Sequence, residues 1–415
     1  MTVEMLFEII NRTRIPEFQN INLGEMLYTV VKSSLERRIK NNLKYMLSVL
    51  AFHSVNFSKN GKGNDLFLYS FSYLGRQDHL LRTISASRCS QNSTTIISQK
   101  KFRIKLDFFK KMHFFLKWKD RLISNGVPNN AAFYLALILV DAYHSYCEIE
   151  EYLKKEKIIP SLFVSLCDGH PIDYYITSRM NECNVPTATL QHGLFSHFEP
   201  WIFHNSHSKY FLAYNQMTID EAQKSGKKDI NHILIVGPPS LIGKNRNYNF
   251  TKTNFHKIGV ALLGKGYEKQ NEEIINIIRL LCEKSNYLFT VRDHADVHTP
   301  LPQMSNMVRD RSENIETFIE NSDFIVTGSS TVFFDTFVHN KIAVRYIGEQ
   351  DRYEQIDDFS FRNESDLLKY FSDYYYDFNR IAVRAKKVLD YFLPQEDILK
   401  LYTTAFEKIK EGSLT

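Results

Sequence analysis

Short apolar runs alternate with segments of helical period along most of this chain. The runs are rich in β-branched and aromatic residues and are bounded by polar residues, which is typical of buried strands. In the N-terminal part they fall at 65–71, 93–99, 161–166, 187–190, 210–214 and 232–236, with helical-length segments such as 142–157 and 172–184 between them. Strands that alternate with helices predict a parallel sheet of the α/β class.

A second series of the same kind follows a polar stretch at 243–257, which has no clear period and is interpreted as a linker. Its predicted strands are 257–264, 287–292, 323–328 and 342–347, and its predicted helices are 268–284, 314–320 and 331–338. The pattern therefore predicts two Rossmann-like domains, and the resemblance described below implies that they face a cleft. Their expected bounds are 1–242 (with a helical extension over roughly the first 60 residues) and 257–390, followed by a C-terminal helix at 391–415 that is a candidate to return to the first domain.

Composition and charge exclude several classes of protein. The 415 residues are 43% hydrophobic and include only 16 Gly and 11 Pro, which argues against a disordered or linker-rich chain. A net charge of +5 does not by itself indicate a nucleic-acid-binding protein. The five cysteines are widely spaced and form no CxxC pair, so no zinc site or disulfide framework is predicted. No signal-peptide pattern is present, and the most apolar stretch, 131–142, is too short to span a bilayer, so we expect a cytoplasmic protein.

Polar residues follow four of the predicted strands, and ligands collect at the carboxyl ends of strands in open parallel sheets. The first such junction is 167–171, where Asp168 could act as a base and His170 as its partner. An Asp-Gly turn in which Asp168 caps the following helix is the structural alternative.

The second junction holds Gln191, His192 and Gly193, which follow the strand 187–190. Histidine titrates near neutrality and suits a general base, while glycine lets the backbone approach a ligand closely. The histidines that follow have no metal-binding spacing. We therefore interpret this segment as an acceptor-side loop, with an ordinary surface loop as the alternative.

The third junction brings Arg292 and His294 to the end of one strand, where both side chains could donate to phosphate oxygens. The alternative is a solvated loop whose charges pair with Asp293 and Asp296. No metal site is predicted at this or any other junction.

The fourth junction is the most specific. A buried strand ends in Thr-Gly-Ser-Ser-Thr, so that Ser329, Ser330 and Thr331 meet the expected start of a helix, an arrangement that suits an anion such as phosphate. A single capping hydroxyl is the alternative. Gly264, Lys265 and Gly266 end the first strand of the same domain and could face the same ligand, although the chain has no GxGxxG or Walker A motif.

Together these junctions resemble the two-Rossmann-domain glycosyltransferases called GT-B. Among them, the chain is similar to bacterial surface-polysaccharide enzymes of the CDP-glycerol glycerophosphotransferase-like, capsular Kdo transferase-like and bacterial sialyltransferase-like families, by motif over 161–346. The resemblance implies that His294, Ser329 and Ser330 bind the donor's nucleotide phosphate, and Asp335 fits the pattern that follows the serine pair. It leaves both Asp168 and His192 as candidates for the base, because only Asp168-Gly169 is present of an acidic-acidic-Gly motif.

The resemblance also implies a reaction and its partners. A sugar or polyol phosphate would pass from a CMP-, CDP- or UDP-linked donor in the C-terminal domain to a glycan or lipid-linked acceptor in the N-terminal one, during capsule or lipopolysaccharide synthesis. No cofactor is expected beyond the nucleotide sugar, and no metal, because no DxD motif follows a strand. A nucleotide-sugar 2-epimerase of the same fold and a non-catalytic, degenerate transferase subunit stay open as alternatives, and nucleic acid is not an expected partner.

One segment, 100–121, concentrates the positive charge, with nine basic residues against two acidic ones and aromatic residues between them. On a helical projection Ile104, Phe108, Met112 and Phe115 share one face and Arg103, Lys110 and Lys117 lie opposite, but Lys111 and Lys119 interrupt the separation. One interpretation is a helix that docks on anionic lipid and places the protein peripherally on the inner face of the cell membrane. The other is a helix packed on the N-terminal domain with a solvated basic face.

Overall fold

A computed structural model describes residues 1–36, 39–52, 54–60, 66–70, 78–87, 94–100, 107–166, 169–193, 207–227, 232–243, 248–253, 255–295, 297–348 and 359–412. Within these residues the strands form two sheets. The predicted α/β architecture of two Rossmann-like units is confirmed. Both sheets are parallel throughout, apart from one antiparallel pair at the edge of the first sheet.

The first sheet has the strand order β1-β3-β2-β4-β5-β6-β7 among the described residues. Its strands are β1 (Ser54–Asn60), β2 (Leu66–Ser70), β3 (Thr94–Lys100), β4 (Leu162–Ser165), β5 (Thr187–Leu190), β6 (Tyr210–Ala213) and β7 (Ile233–Ile235). Every residue of β4 and β5 is buried, as expected for strands of a parallel sheet that is covered on both faces.

The second sheet has the order β10-β9-β8-β11-β12-β13 within the described part of the chain. Its strands are β8 (Lys257–Ala261), β9 (Leu288–Arg292), β10 (Met307–Arg309), β11 (Phe324–Thr327), β12 (Ile342–Tyr346) and β13 (Ser360–Phe361). Counted along the chain this is the order 3-2-1-4-5-6 of the doubly wound nucleotide-binding fold. The order reverses direction between β8 and β11.

Helices cover the sheets and extend the N-terminal part of the chain. They are α1 (Val3–Arg12), α2 (Leu23–Glu36), α3 (Ile39–Leu47), α4 (Asp78–Ala86), α5 (Phe108–Ser124), α6 (Asn129–Glu156), α7 (Pro171–Glu182), α8 (Gln216–Lys224), α9 (Glu268–Lys284), α10 (Ile315–Glu320), α11 (Val332–Val338), α12 (Glu364–Tyr376), α13 (Phe378–Phe392) and α14 (Ile398–Glu411). None of the helices in the described ranges is both long enough and apolar enough to cross a bilayer.

One hydrophobic core joins the two sheets. It contains strand residues of the first sheet, such as Val164 in β4 and Leu190 in β5, together with residues of the second sheet and of the last helices. The Phe334 ring of α11 stacks on Phe392 of α13 with centroids 3.5 Å apart. In α14, the buried Tyr402 hydroxyl donates to the carbonyl oxygen of residue 237, 3.0 Å away, just after β7. The C-terminal helices therefore pack against elements of both sheets.

Several edge elements differ from the sequence-based expectation. The first 60 or so residues were expected to be helical, but Ser54–Asn60 is a strand because it pairs with β3, a partner about 40 residues away that no local pattern reveals. The short strands β10 and β13 carry too few residues to show a period. The predicted helix over 100–121 begins only at Phe108: Lys100 ends β3, and 101–106 lie outside the described residues.

Candidate functional site

Each sheet has one point at which the chain connections on either side lead away in opposite directions, and these two points are candidate binding regions. In the second sheet this point lies between β8 and β11, whose carboxyl ends carry Gly264 and Ser329. In the first sheet it lies between β2 and β4, and β4 ends beside Leu166. Ligands of doubly wound sheets bind in the crevice at such points. The topology thus selects the junctions that end β4, β8 and β11.

Three loops of the second sheet pack tightly against each other at this edge. A Cβ built on Gly264 would lie 3.1 Å from atoms of the His294 ring, and one on Gly328 would lie 2.5 Å from Leu263. The close approach therefore requires glycine at 328, whereas a larger residue at 264 would have to displace the His294 ring slightly. His294, Lys265 and Gly266 are exposed. The structure brings the Gly264 loop, His294 and the serine turn (328–331) together, as the sequence predicted for residues facing one ligand.

The hydroxyls of the serine turn have different hydrogen-bond partners. Ser330 Oγ accepts a hydrogen bond from the Val332 backbone N–H at 3.3 Å, which is the local turn expected before a helix. Ser329 Oγ is 2.8 Å from Arg345 Nη1. Thr331 occupies the N-cap position of α11 but makes no capping hydrogen bond with its side chain. Because α11 has only seven residues, an anion at this turn would be bound chiefly by the hydroxyls and the backbone of the turn, and less by the helix dipole.

Arg292 does not fit the role that the sequence suggested for it. Its Nη1 donates to the Asp310 carboxylate and, at 3.0 Å, to the Ser312 carbonyl oxygen. Burial opposes ionisation of Asp310, but hydrogen bonds from Ser312 and Arg292 hold the pKa of this carboxyl below its ordinary value. The guanidinium charge is thus neutralised within the protein. The expectation that Arg292 reaches a donor phosphate is corrected: it joins the loop after β10 to the end of β9.

On the first sheet, His192 is held by the neighbouring strand. Its Nδ1 lies 2.7 Å from the Leu166 carbonyl oxygen at the end of β4. A carbonyl oxygen can only accept, so the hydrogen sits on Nδ1 and the neutral ring has its lone pair on Nε2. This is the tautomer that a general base needs, and the contact places His192 at the carboxyl edge beside β4.

Gln191 is fully buried and organises the loop rather than facing a ligand. Its Oε1 accepts from the Tyr214 backbone N–H at 2.6 Å and from the Thr218 hydroxyl at 2.9 Å, and its Nε2 donates to the Gly193 carbonyl oxygen at 2.7 Å. The expectation that Gln191 contacts the acceptor is therefore corrected. At Gly193 an added Cβ would meet no atom of the described residues within 4 Å.

The first predicted junction is described only in part, because Asp168 lies outside the described residues. His170 precedes α7 and makes no capping hydrogen bond with its side chain. The surrounding protein atoms desolvate its ring and lower its pKa, although solvent still reaches the residue, as in a cleft. His170 therefore lies beside the carboxyl edge of the first sheet, and desolvation favours the neutral form of its ring.

An electrostatic interaction links Tyr214, beside the first sheet, to Asp335, beside the second. Tyr214 follows β6, and its backbone N–H donates to Gln191. Its phenol is fully buried, and its pKa is raised chiefly by this burial and further by the negative charge of Asp335 in α11. Asp335 belongs to α11, the helix that starts after the serine turn, so this helix lies near enough to the end of β6 for its charge to act on Tyr214.

The sequence interpretation missed Arg345, the residue that holds Ser329. It is fully buried in β12, a strand whose five residues are all buried. The available signal was a charged residue within the otherwise apolar run 342–347. Within the described part of the chain, His, Cys, Asp and Glu side chains form no group of three that could hold a metal ion.

No known protein-family model matches this chain, and no curated protein matches it in sequence. Solved structures match over most of its length. The wall teichoic acid polymerase TagF is 12% identical, with a TM-score of 0.46 over 94% of this chain and 98% of that chain. UDP-GlcNAc 2-epimerase from Neisseria meningitidis, bound to UDP-GlcNAc, is 13% identical, with a TM-score of 0.47 over 85% and 99%.

A putative UDP-N-acetylglucosamine 2-epimerase from Listeria monocytogenes is 10% identical, with a TM-score of 0.49 over 82% of this chain and 94% of that chain. At such identities, and with TM-scores below 0.5, these matches carry no argument about substrate or catalytic residues. Those follow only from the side chains that the fold brings to the cleft.

Proposed function

We propose that this protein transfers a sugar, or a related polyol phosphate, from a nucleotide-activated donor to a glycan acceptor. The observation that carries the proposal is that His192 lies at the carboxyl edge of the first sheet, while His294 and the serine turn lie together at the switch point of the second. A transferase needs two neighbouring sites of this kind, one for each substrate.

The donor belongs on the second sheet, with its phosphates against the serine turn. Ser329 and Ser330 both accept hydrogen bonds within the protein, so each can offer its own hydroxyl hydrogen to a phosphate oxygen. His294 offers a ring N–H from the loop that packs on Gly264. Donors placed where the leaving phosphate gains charge stabilise the transition state most.

The acceptor belongs on the first sheet, with His192 as the base. A neutral hydroxyl is a poor nucleophile, and the Nε2 lone pair of His192 can take its proton in the attack on the donor. The electron pair of the new bond comes from the acceptor oxygen, and the nucleotide leaves with the pair of the broken bond. The proton moves from the acceptor oxygen to Nε2. No metal enters this scheme, and transfer in the presence of EDTA tests that part of the proposal.

Three variants test this placement. We expect His294→Ala and Ser330→Ala each to weaken binding of CMP, CDP or UDP roughly 10- to 100-fold in calorimetry, the effect of one hydrogen bond to a charged group. His192→Asn keeps a donor for the Leu166 carbonyl but has no base; it should bind the nucleotide normally and slow transfer by roughly 10²–10⁴-fold. His298, which is 76% exposed on the same loop as His294, provides the matched control His298→Ala.

Incubating the wild-type protein with nucleotide sugar but no acceptor separates the competing activities. A transferase gives at most slow hydrolysis, whereas an isomeric nucleotide sugar would replace this proposal with a 2-epimerase. Failure of the wild type to bind any of the three nucleotides would instead favour a non-catalytic subunit. Unchanged nucleotide affinity in His294→Ala and Ser330→Ala would remove the donor site from this edge.

We further propose that the acceptor is a lipid-linked or membrane-associated glycan of a bacterial cell surface, reached through α5. The inner face of α5 packs on the protein, with Lys111, Phe115, Trp118 and Leu122 buried. Its outer face combines Phe109, 83% exposed, and Leu116 with the exposed Lys110 and Arg121. Exposed aromatic and basic side chains on one helix face suit an anionic lipid surface.

A further inference from the structure

Arg345 is the one arginine of the second sheet, among the described residues, that is both fully buried and bonded to the serine turn. Within the sheet it lies opposite Thr327, the last residue of β11, so its side chain starts directly beneath the turn that begins at Gly328. Its Nη1 is 2.8 Å from Ser329 Oγ. The guanidinium is thus part of the floor of the proposed phosphate site and not of its surface.

The chemistry of this contact fixes the direction of the hydrogen bond. A guanidinium has five N–H donors and no acceptor, so Ser329 Oγ must accept. A hydroxyl that accepts from such a group turns its own hydrogen away from it and towards an acceptor. Phosphate oxygens are acceptors only, and hydrogen bonds that involve an ion are stronger than neutral ones. The contact with a charged donor therefore sets Ser329 as a hydrogen-bond donor.

We propose that Arg345 is a positioning residue that orients Ser329 to donate to a phosphate oxygen of the nucleotide donor. The inference rests on the proposed function, because it concerns the same site. Ser330 has its acceptor role filled by the Val332 backbone N–H, whereas Ser329 depends on a side chain from the adjacent strand. Arg345 is bonded to the serine turn, whereas Arg292 is bonded to Asp310. Because the Arg345 side chain is fully buried, it acts on the ligand through Ser329 and not by direct contact.

The test is a double-mutant cycle with calorimetric titration of CMP, CDP and UDP. Arg345→Met replaces the guanidinium by an apolar side chain of similar length. We expect Ser329→Ala and Arg345→Met each to lower affinity for the bound nucleotide roughly 10-fold or more, the loss of one hydrogen bond to a charged group. The double variant should lose hardly more than either single variant. Arg345→Lys, which restores a charged donor, should recover part of the affinity.

Arg292→Met is the matched control, because it removes an arginine from a neighbouring strand end that is bonded within the protein. It should leave nucleotide affinity within about twofold, since it removes no proposed phosphate donor. Melting temperatures by circular dichroism show that each variant is folded at the titration temperature. Two results would overturn the role of Arg345 but leave the proposed function standing. One is a double variant in which the two affinity losses multiply in full; the other is wild-type affinity in Arg345→Met. A wild type that binds none of the three nucleotides overturns both this inference and the proposed function.

Discussion

At the scale of single residues, the surroundings decide what an arginine or a histidine does. Arg292 and Arg345 both lie near carboxyl ends of strands, yet one is bonded to Asp310 at the side of the sheet and the other supports the serine turn. His192 is bonded through Nδ1 to a carbonyl oxygen. The type of side chain indicates which chemistry is possible. Its hydrogen-bond partner determines which of its atoms can take part in that chemistry.

His144 of α6 shows the same effect on a protonation equilibrium. It is buried between α5 and α6, and this burial, followed by the charge of Lys111, lowers its pKa from 6.5 to about 4. Asp107 lies 3.9 Å from its Nδ1 and opposes the shift only partly. The folded protein therefore keeps His144 neutral at pH values where the unfolded chain would protonate it.

This predicts a specific dependence of stability on pH. As pH falls from about 6.5 towards 4, the unfolded state binds a proton that the folded state does not, so stability is lost, by up to about 1.4 kcal/mol per pH unit from this group. Above pH 6.5 the contribution is fully present. Urea unfolding at several pH values should show a flatter slope in His144→Asn than in the wild type. The exposed His113 gives the control His113→Asn, which should keep the wild-type slope; equal slopes in all three proteins would contradict the assignment.

At the scale of elements, the amphipathic pattern of α5 fits two roles, packing on the protein and contact with lipid. The sequence predicts that its apolar positions share a face, and Phe115 is indeed buried against the protein. The basic Lys111 is buried there too. Its Nζ lies 3.6 Å from Asp107 and 3.4 Å from the Val49 carbonyl oxygen. The packing interpretation thus describes the inner face. The proposed lipid contact rests on the outer face alone.

Sedimentation with vesicles tests that outer face. We expect the wild type to co-sediment with vesicles of phosphatidylglycerol and phosphatidylcholine at low salt. The double variant Lys110→Glu/Arg121→Glu should bind far less, because each basic residue contributes about 1 kcal/mol near an anionic surface. Phe109→Ser should also weaken binding. Lys386→Glu/Lys387→Glu on α13 changes the net charge equally at two exposed positions and should bind like the wild type. Equal losses in both charge variants would indicate a general charge effect and contradict a docking surface on α5.

At the scale of the whole molecule, the last two helices connect the sheets. Phe392 of α13 stacks on Phe334, and Tyr402 of α14 bonds to Gly237. Gly237 has a φ of 78°, and a Cβ there would lie 2.9 Å from Ile398, so this turn requires glycine to receive α14. Residues of both sheets and of the last helices consequently share one hydrophobic core.

A shared core predicts cooperative unfolding. We expect a single transition in differential scanning calorimetry, because residues of both sheets pack into one core. Tyr402→Phe should destabilise the protein by about 1–3 kcal/mol, since it leaves a buried carbonyl without its hydroxyl donor. Tyr376, 82% exposed, supplies the control Tyr376→Phe, which should melt like the wild type. Two resolved transitions, with only one of them shifted by Tyr402→Phe, would show that the sheets unfold independently.

The sequence by itself determined the alternation of strands and helices, because buried strands of a parallel sheet must be apolar along their length and β5, for example, has the predicted bounds Thr187–Leu190. It also indicated His192, His294 and the serine turn, since a residue that follows such a strand has to lie at its carboxyl edge. Strand order, the antiparallel β1 and the partners of Gln191, Arg292 and Arg345 were decided only by the tertiary structure. These depend on contacts between residues far apart in the chain, for which a local pattern of polar and apolar positions holds no information.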